Sequence, residues 1–269
     1  MPRQGLARLI AGLSLVGAAL AGAPAPLAPQ LVADSAFSPL LGPPAYPMGR
    51  GPRVALDEAH HNFHTLDVVP NREPFSSASL SAVRAWVEAG GALLLIADHM
   101  PFAGAAGELA ATFGFELLNG FASGPGAGGS GPLVFRRSDG SLADHTVTGG
   151  APAGLGVDSV ASFTGEAFRI PPGATSLLTL PAGSVSLNPD TAWVFRDETP
   201  RTDVSGWSQG ALLEVGRGRV AVFGEAAMFS AQLAGPQRTP MGMNAPLAGH
   251  NPRLLLNLAR WLAGAGEGR

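Results

Sequence analysis

Apolar runs bounded by glycine and followed by charged residues dominate the pattern of the first half of the chain. Residues 92–97 carry no polar side chain, and an amphipathic stretch at about 79–89 precedes them across the Gly90-Gly91 turn. A continuous apolar run after a helix is typical of a strand buried in a parallel sheet. Residues 53–56 have the same form and predict an earlier parallel strand, and a further helix is expected near 105–113.

The C-terminal part of the pattern predicts a hairpin and a final helix. Two apolar runs, residues 210–215 and 219–223, flank the short turn Gly216-Arg217-Gly218, which is typical of a β-hairpin. Residues 251–263 repeat apolar side chains every three or four positions, as an amphipathic helix does. Its apolar side consists of Leu254, Leu255, Leu258, Trp261 and Leu262.

Residues 114–187 have a weaker pattern, which predicts only short strands around 160–163 and 176–180. Within this region Gly126, Gly128 and Gly131 have the spacing of a dinucleotide-binding fingerprint. They precede a strand-like run at 133–136 instead of joining a strand to a helix. We therefore interpret the segment as a loop that connects two elements, without a role in nucleotide binding.

The N-terminus has the layout of a secretory signal peptide. Arg3 and Arg8 are followed by an uncharged apolar run at 9–20, which is shorter than the ~20 residues that a membrane-spanning helix needs. We expect residues 1–21 to be a signal peptide, 22–52 a Pro/Ala-rich lead-in, 53–264 one α/β domain and 265–269 a tail. The expected location is periplasmic or secreted, with no stable membrane insertion after cleavage.

The mature chain is expected to begin at Gly22, because Ala19 and Ala21 supply the small-x-small site that a signal peptidase needs. Cleavage after Ala23 is disfavoured because Pro24 would follow the cut. N-terminal sequencing of the exported protein checks this cleavage position. An intact Met1 on protein from the membrane-free cytoplasm would contradict it.

Composition excludes several classes of function. Hydrophobic residues make up 46% of the chain and charged residues 14%, with a net charge of -3, so no nucleic-acid surface is expected. The chain has no cysteine, which excludes disulfides, thiolate ligands and a thiol nucleophile. All basic residues are arginine, which excludes Schiff-base chemistry through lysine.

Three of the apolar runs end in ionisable side chains. Asp57 and Glu58 follow the first run, Asp98 the second and Glu225 the last. Ligands of open α/β sheets bind outside the carboxyl ends of the strands, so we expect these acids to share a pocket. Glu58, Asp98 and Glu225 are the candidate catalytic residues. The alternative is that each acid only caps the helix that follows it.

Histidines beside these acids indicate a divalent metal, zinc or manganese. His60 and His64 would lie one turn apart on a helix, and His99 follows Asp98 directly. The candidate metal ligands are Asp57, His60, His64 and His99, with a bound water as nucleophile. Alternatively, neutral histidines only hydrogen bond to the neighbouring carboxylates. Ser76, Ser77 and Ser79 are expected to cap a helix, not to act as nucleophiles.

Several strings resemble a known superfamily. They are Leu56-Asp57-Glu58-Ala59-His60, Gly90-Gly91-Ala92-Leu93-Leu94-Leu95-Ile96, Gly218-Arg219-Val220-Ala221-Val222-Phe223-Gly224, residues 251–262 and His145-Thr146-Val147-Thr148-Gly149. Over roughly residues 53–264 they look like the DUF4350-type branch of the class I glutamine amidotransferase-like superfamily. The resemblance implies a flavodoxin-like three-layer α/β sandwich with a mainly parallel sheet, ending here in a β-hairpin and a helix. Enzymes of this superfamily use a cysteine nucleophile, which this chain lacks, so glutaminase activity is not implied.

These observations lead to two alternative functions. The first is an exported, metal-assisted hydrolase that uses an Asp/Glu/His pocket at the carboxyl ends of the strands. The second is a non-catalytic module that binds a small molecule or glycan, or serves in assembly. Metal content and ligand binding distinguish the two.

Overall fold

The computed structural model describes residues 31–39, 53–55, 75–125, 131–149 and 156–264. The predicted signal peptide, most of the lead-in and the tail lie outside these residues. So do four of the predicted site residues: Asp57, Glu58, His60 and His64. No helix among the described residues combines the length and the apolarity that crossing a membrane requires.

The described residues form short strands and four α-helices, joined by turns and by 3-10 turns at Arg137–Asp139, Ala227–Phe229 and Pro246–Ala248. In chain order the elements are β1 (Leu31–Ala33), α1 (Ser77–Glu88), β2 (Ala92–Ile96), α2 (Phe102–Thr112), β3 (Glu116–Leu117), β4 (Phe121–Ser123), β5 (Leu133–Arg136), α3 (Thr146–Gly149), β6 (Ser159–Ser162), β7 (Phe168–Arg169), β8 (Thr175–Thr179), β9 (Val185–Leu187), β10 (Arg201–Asp203), β11 (Ser208–Val215), β12 (Gly218–Phe223), β13 (Ala231–Ala234), β14 (Thr239–Gly242) and α4 (Asn251–Leu262).

A six-stranded mixed sheet forms the centre of the molecule. Its strands lie in the order β2, β12, β11, β7, β3, and β8 also pairs with β11. β12 is parallel to β2, whereas β11 is antiparallel to β12, β7 and β8, and β7 is antiparallel to β3. The smaller sheets of the described residues, β1-β13-β14, β10-β9-β4 and β5-β6, are antiparallel throughout.

The predicted flavodoxin-like fold with a mainly parallel sheet is therefore wrong. Parallel neighbours need a crossover connection of about a dozen or more residues, usually a helix. Between β11 and β12 the chain instead reverses through a tight turn at Gly216, whose φ angle is 60°. Glycine reaches this left-handed region without the steric cost of a Cβ atom, so this turn favours antiparallel pairing.

The predicted first strand is also wrong over its described part. Arg53, Val54 and Ala55 form no strand, and Val54 is 84% exposed. The hairpin expected near the C-terminus does form, because β11 pairs with β12 from Gly210 opposite Phe223 to Val215 opposite Gly218. Helix α1 begins after Ser76, whose Oγ accepts the backbone N–H of Ser79 at 3.1 Å, which confirms a capping role for Ser76.

Helices pack on both faces of the central strands because side chains alternate along β12. Ala221 and Phe223 face a core cluster that includes the buried Leu254 and Leu258 of α4. Val220 and Val222 face the opposite cluster, which contains Val87 of α1 and Leu109 of α2. This two-residue period is the property of a strand buried on both faces. The packing of both faces holds β12, and β2 paired with it, between the two hydrophobic clusters.

Candidate functional site

The carboxyl ends of β2 and β12 bring Asp98 and Glu225 to the same edge of the sheet. The two strands pair in parallel with Phe223 opposite Ile96, and the N–H of Ala97 donates to the carbonyl of Phe223 at 2.8 Å. Asp98 follows β2 by two residues, and Glu225 follows β12 by two residues. The matching offsets place the two acids side by side.

A third acid, Glu166, joins them and was missed by the sequence analysis. It lies between β6 and β7, and its N–H donates to the carbonyl of Gly224 at 2.8 Å. A Cβ atom at Gly165 would lie 2.3 Å from that same carbonyl oxygen, so only glycine allows this close approach. The available signal was a single acid enclosed by small and apolar residues, from Phe163 to Phe168.

Both oxygens of Glu225 are engaged by backbone amides. Oε1 accepts the N–H of Ala227 at 2.8 Å and Oε2 that of Met228 at 2.7 Å, at the start of the 3-10 turn Ala227–Phe229. Glu225 is also fully buried. Its geometry therefore matches the capping alternative, and we assign Glu225 a structural role in holding the end of β12.

Glu166 and Asp98 are less completely satisfied. Oε2 of Glu166 accepts the N–H of Asn119 at 3.0 Å, whereas Oε1 is buried and has no hydrogen-bond partner among the described residues. Oδ1 of Asp98 accepts the N–H of His99 at 2.7 Å, and the backbone of Ala226 also hydrogen bonds to this carboxylate. Asp98 is the only one of the three acids with more than a trace of exposed surface.

Burial and the charge of Asp98 both favour the protonated form of Glu166 and Glu225. Burial raises the pKa of Glu225 and that of Glu166 well above the usual range, and the charge of Asp98 adds to both shifts. Burial also raises the pKa of Asp98, although the neighbouring His99 opposes this rise. Charge on any of these acids is therefore costly unless a cation or a hydrogen-bond donor accompanies it.

His99 presents an acceptor atom beside these acids. Its Nδ1 lies 2.7 Å from the carbonyl oxygen of Met100, and because a carbonyl can only accept, Nδ1 carries the proton. In the neutral ring the lone pair is then on Nε2, to which no described residue donates. The ring is 7% exposed, so the surrounding residues hold it in place.

Four aromatic residues, which together we call the aromatic group, lie around His99: Phe102, Phe121, Trp193 and Phe195. Phe121 stacks on the imidazole at 4.6 Å between ring centroids, and Trp193 meets it edge-on at 4.7 Å. Phe102 lies 5.7 Å from His99, and Phe195 contacts both Phe121 and Trp193. Trp193 has a φ of 66°, which is uncommon for a bulky residue and costs about 1–3 kcal/mol, as is frequent at ligand sites.

Two buried polar side chains, from β6 and β11, lie next to the backbone of Glu166. Ser162 donates through Oγ to Oε1 of Gln209 at 2.6 Å, and Nε2 of Gln209 donates to the backbone carbonyl of Glu166 at 3.2 Å. These side chains are buried. They fix the backbone of Glu166 but offer no donor to its free carboxylate oxygen.

Of the seven predicted site residues, the structure describes Asp98, His99 and Glu225, and it brings all three together. Within the ranges that the structure describes, no group of three or more candidate ligands is arranged to hold a metal ion. Four predicted residues, Asp57, Glu58, His60 and His64, lie outside those ranges. The zinc or manganese site therefore stays a prediction.

Comparison with known proteins does not assign a family. No family model and no curated protein matches the chain. Among solved structures, the mmIFT52 N-terminal domain is 12% identical with a TM-score of 0.46, and the match covers 72% of this chain and 74% of that domain. A cytoplasmic protein from Salmonella typhimurium is 15% identical with a TM-score of 0.40, covering 70% of this chain and 61% of that one. Similarity at this level supports no argument about function, and the amidotransferase-like resemblance stays a prediction.

Replacing Glu166 with glutamine is expected to stabilise the protein at neutral pH. A raised folded-state pKa means that Glu166 contributes favourably below the unfolded pKa of about 4.3, and that this contribution is lost as the pH rises through the folded pKa. The neutral amide removes that loss, so we expect a gain of about 1–3 kcal/mol at pH 8 that disappears near pH 4. Urea denaturation across this range measures it.

Glu116→Gln is the matched control, because Glu116 is exposed on β3. Its substitution should leave the pH dependence of unfolding unchanged. If Glu166→Gln instead lowers stability at pH 8, then Glu166 is ionised and well solvated in the folded protein, contrary to the geometry described above.

Proposed function

We propose that the chain binds a small molecule at the edge of the sheet where Asp98, Glu166 and His99 meet the aromatic group, and that it acts as a binding module. The observation that carries this proposal is an excess of hydrogen-bond acceptors. Among the described residues, none donates a hydrogen bond to Oε1 of Glu166 or to Nε2 of His99. A ligand that donates hydrogen bonds would satisfy both atoms.

The aromatic group supports the same proposal. Phe195 is 42% exposed and Trp193 is partly exposed, so ring surface is accessible beside the polar atoms. Ligand sites typically combine apolar or aromatic walls with a few placed polar groups. The strained backbone of Trp193 is also explained if this ring must be held at the site.

Thermal denaturation in the presence of small probes tests the proposal. We expect at least one of glucose, glycerol and ethylammonium chloride to raise the Tm saturably, and Trp193→Ala to remove the response. Trp86→Ala is the matched control, because Trp86 is 53% exposed on α1, away from these residues. A response that Trp193→Ala leaves intact, or the absence of any response, would contradict the proposal.

The metal-assisted hydrolase is the second candidate, and one observation favours it. Nε2 of His99 carries the lone pair that a metal ligand needs, because Nδ1 is fixed by the carbonyl of Met100. The remaining predicted ligands, Asp57, His60 and His64, lie outside the described residues. Metal analysis of the purified protein tests this candidate: stoichiometric zinc or manganese that is lost in His99→Ala supports it, and metal-free protein contradicts it.

A further inference from the structure

We propose that the site formed by Asp98, Glu166 and the aromatic group binds a compact organic cation, specifically an alkylammonium group. This inference rests on the proposed binding function and names the chemical class of its ligand. Three observations carry it: an unsatisfied buried acceptor on Glu166, three neighbouring acids with no arginine partner among the described residues, and aromatic rings packed on His99, the residue that follows Asp98.

The unsatisfied acceptor is Oε1 of Glu166, which is buried and has no hydrogen-bond partner among the described residues. The neighbouring donors bond to other atoms. The N–H of Asn119 donates to Oε2, and the side-chain amide of Gln209 donates to the backbone carbonyl of Glu166. The N–H of Leu118, which also helps to lower the pKa of Glu166, donates to the carbonyl of Ala167. A donor from outside the described residues is therefore needed, because an unpaired buried acceptor is costly.

The acids of the site have no arginine partner in the described part of the chain, and the base beside Asp98 is His99. The ion pairs found there, Arg84 with Glu88, Arg137 with Asp144 and Arg219 with Glu214, all involve other acids. The sequence contains no lysine. A ligand that supplies both positive charge and N–H donors would offset the charge of Asp98 that acts on Glu166 and Glu225, and it would donate a hydrogen bond to Oε1 of Glu166.

Aromatic rings favour an organic cation over a neutral ligand. The ring quadrupoles of tryptophan and phenylalanine attract ammonium groups within about 6 Å of the ring. Trp193 and Phe121 contact the ring of His99, the residue that follows Asp98. The buried position of Glu166 restricts the ligand to a compact head group.

Titration calorimetry with ethylammonium chloride at pH 7.5 tests this inference, with sodium chloride matching the ionic strength and ethanol as the neutral isostere. We expect saturable binding of ethylammonium alone, weakened at least about tenfold by Glu166→Gln and by Asp98→Asn. Glu116→Gln should bind as the wild type does, because Glu116 lies on the exposed face of β3. Glycylglycine carries the free amine of a peptide N-terminus, and its N-acetyl form lacks that amine. Binding of glycylglycine without binding of the N-acetyl form would show that a peptide N-terminus also fits the site and would support the assignment.

The outcomes separate this inference from the proposed function. Binding of glucose or glycerol that depends on Trp193, without binding of ethylammonium, would overturn the cation and leave the binding module standing. Tight binding of Mg²⁺ or Zn²⁺ that excludes ethylammonium would also overturn it. If no probe binds, and Glu166→Gln only changes the pH dependence of stability, then a proton alone neutralises the site and both proposals fail.

Discussion

Replacing Leu258 with alanine is expected to lower the free energy of unfolding by about 2–5 kcal/mol. Leu258 lies on α4 with its side chain fully buried, in the cluster that includes Phe223 of β12 and Leu254 of the same helix. Its removal deletes buried methyl groups and leaves a cavity that the mixed sheet behind it can fill only in part. Urea denaturation followed by far-ultraviolet circular dichroism measures the loss.

Leu255→Ala is the matched control, because Leu255 is the same residue type on the same helix but is only partly buried. Its loss of stability should be clearly smaller than that of Leu258→Ala. Equal losses would mean that α4 does not present Leu254 and Leu258 to the sheet, and the packing of this helix on β12 would then be incorrect.

The elements of this fold that the sequence predicted are those with strong local patterns. The run at 92–97 is β2 with a short extension, the two runs around Gly216 form the hairpin β11 and β12, and the period of residues 251–263 corresponds to α4. Each is encoded within a few turns or strand repeats, so neighbouring residues suffice to predict it. Asp98 and Glu225 follow such runs directly, which is why their proximity could be predicted.

The sheet topology could not be predicted from these local patterns. Strands β3 and β7 each have two residues and β4 and β9 three, too short to show any period. Their pairing is decided by tertiary contacts and by turns in the left-handed region, such as that at Gly183 with a φ of 81°. Residues 53–55 show the opposite error, because a strand was predicted there from an apolar run, whereas these residues are exposed and form no strand. The pattern records hydrophobicity, whereas pairing depends on a partner strand.

Glu166 could not be identified from its own neighbourhood for a related reason. Its position depends on the close approach of Gly165 to Gly224, two residues that are far apart in the sequence. The shape that selects glycine at both positions exists only after β12 is in place. Buried acids that are placed by such long-range contacts carry no spacing motif, so Glu166 was not predicted, whereas the predicted Glu58 lies outside the described residues.

Replacing Glu225 with alanine is expected to destabilise the protein by about 2–4 kcal/mol at pH 5. The carboxylate accepts the backbone amides of Ala227 and Met228, which would lose their partners in the buried interior. Because the folded-state pKa of Glu225 is raised by burial and by Asp98, its contribution is present in full below the unfolded pKa and is lost as the pH rises. The difference between wild type and Glu225→Ala should therefore shrink towards pH 8.

Asp139→Asn supplies a comparison of opposite sign. The side chain and backbone of Ser141 hydrogen bond to Asp139 and lower its pKa, so its contribution to stability is present at neutral pH and is lost as the pH falls through the folded-state pKa. Denaturation of both variants between pH 4 and pH 8 should give deficits that change in opposite directions. If the deficit of Glu225→Ala instead grows towards pH 8, Glu225 is an ionised cap of the 3-10 turn Ala227–Phe229 that the amides of Ala227 and Met228 stabilise, and burial does not raise its pKa.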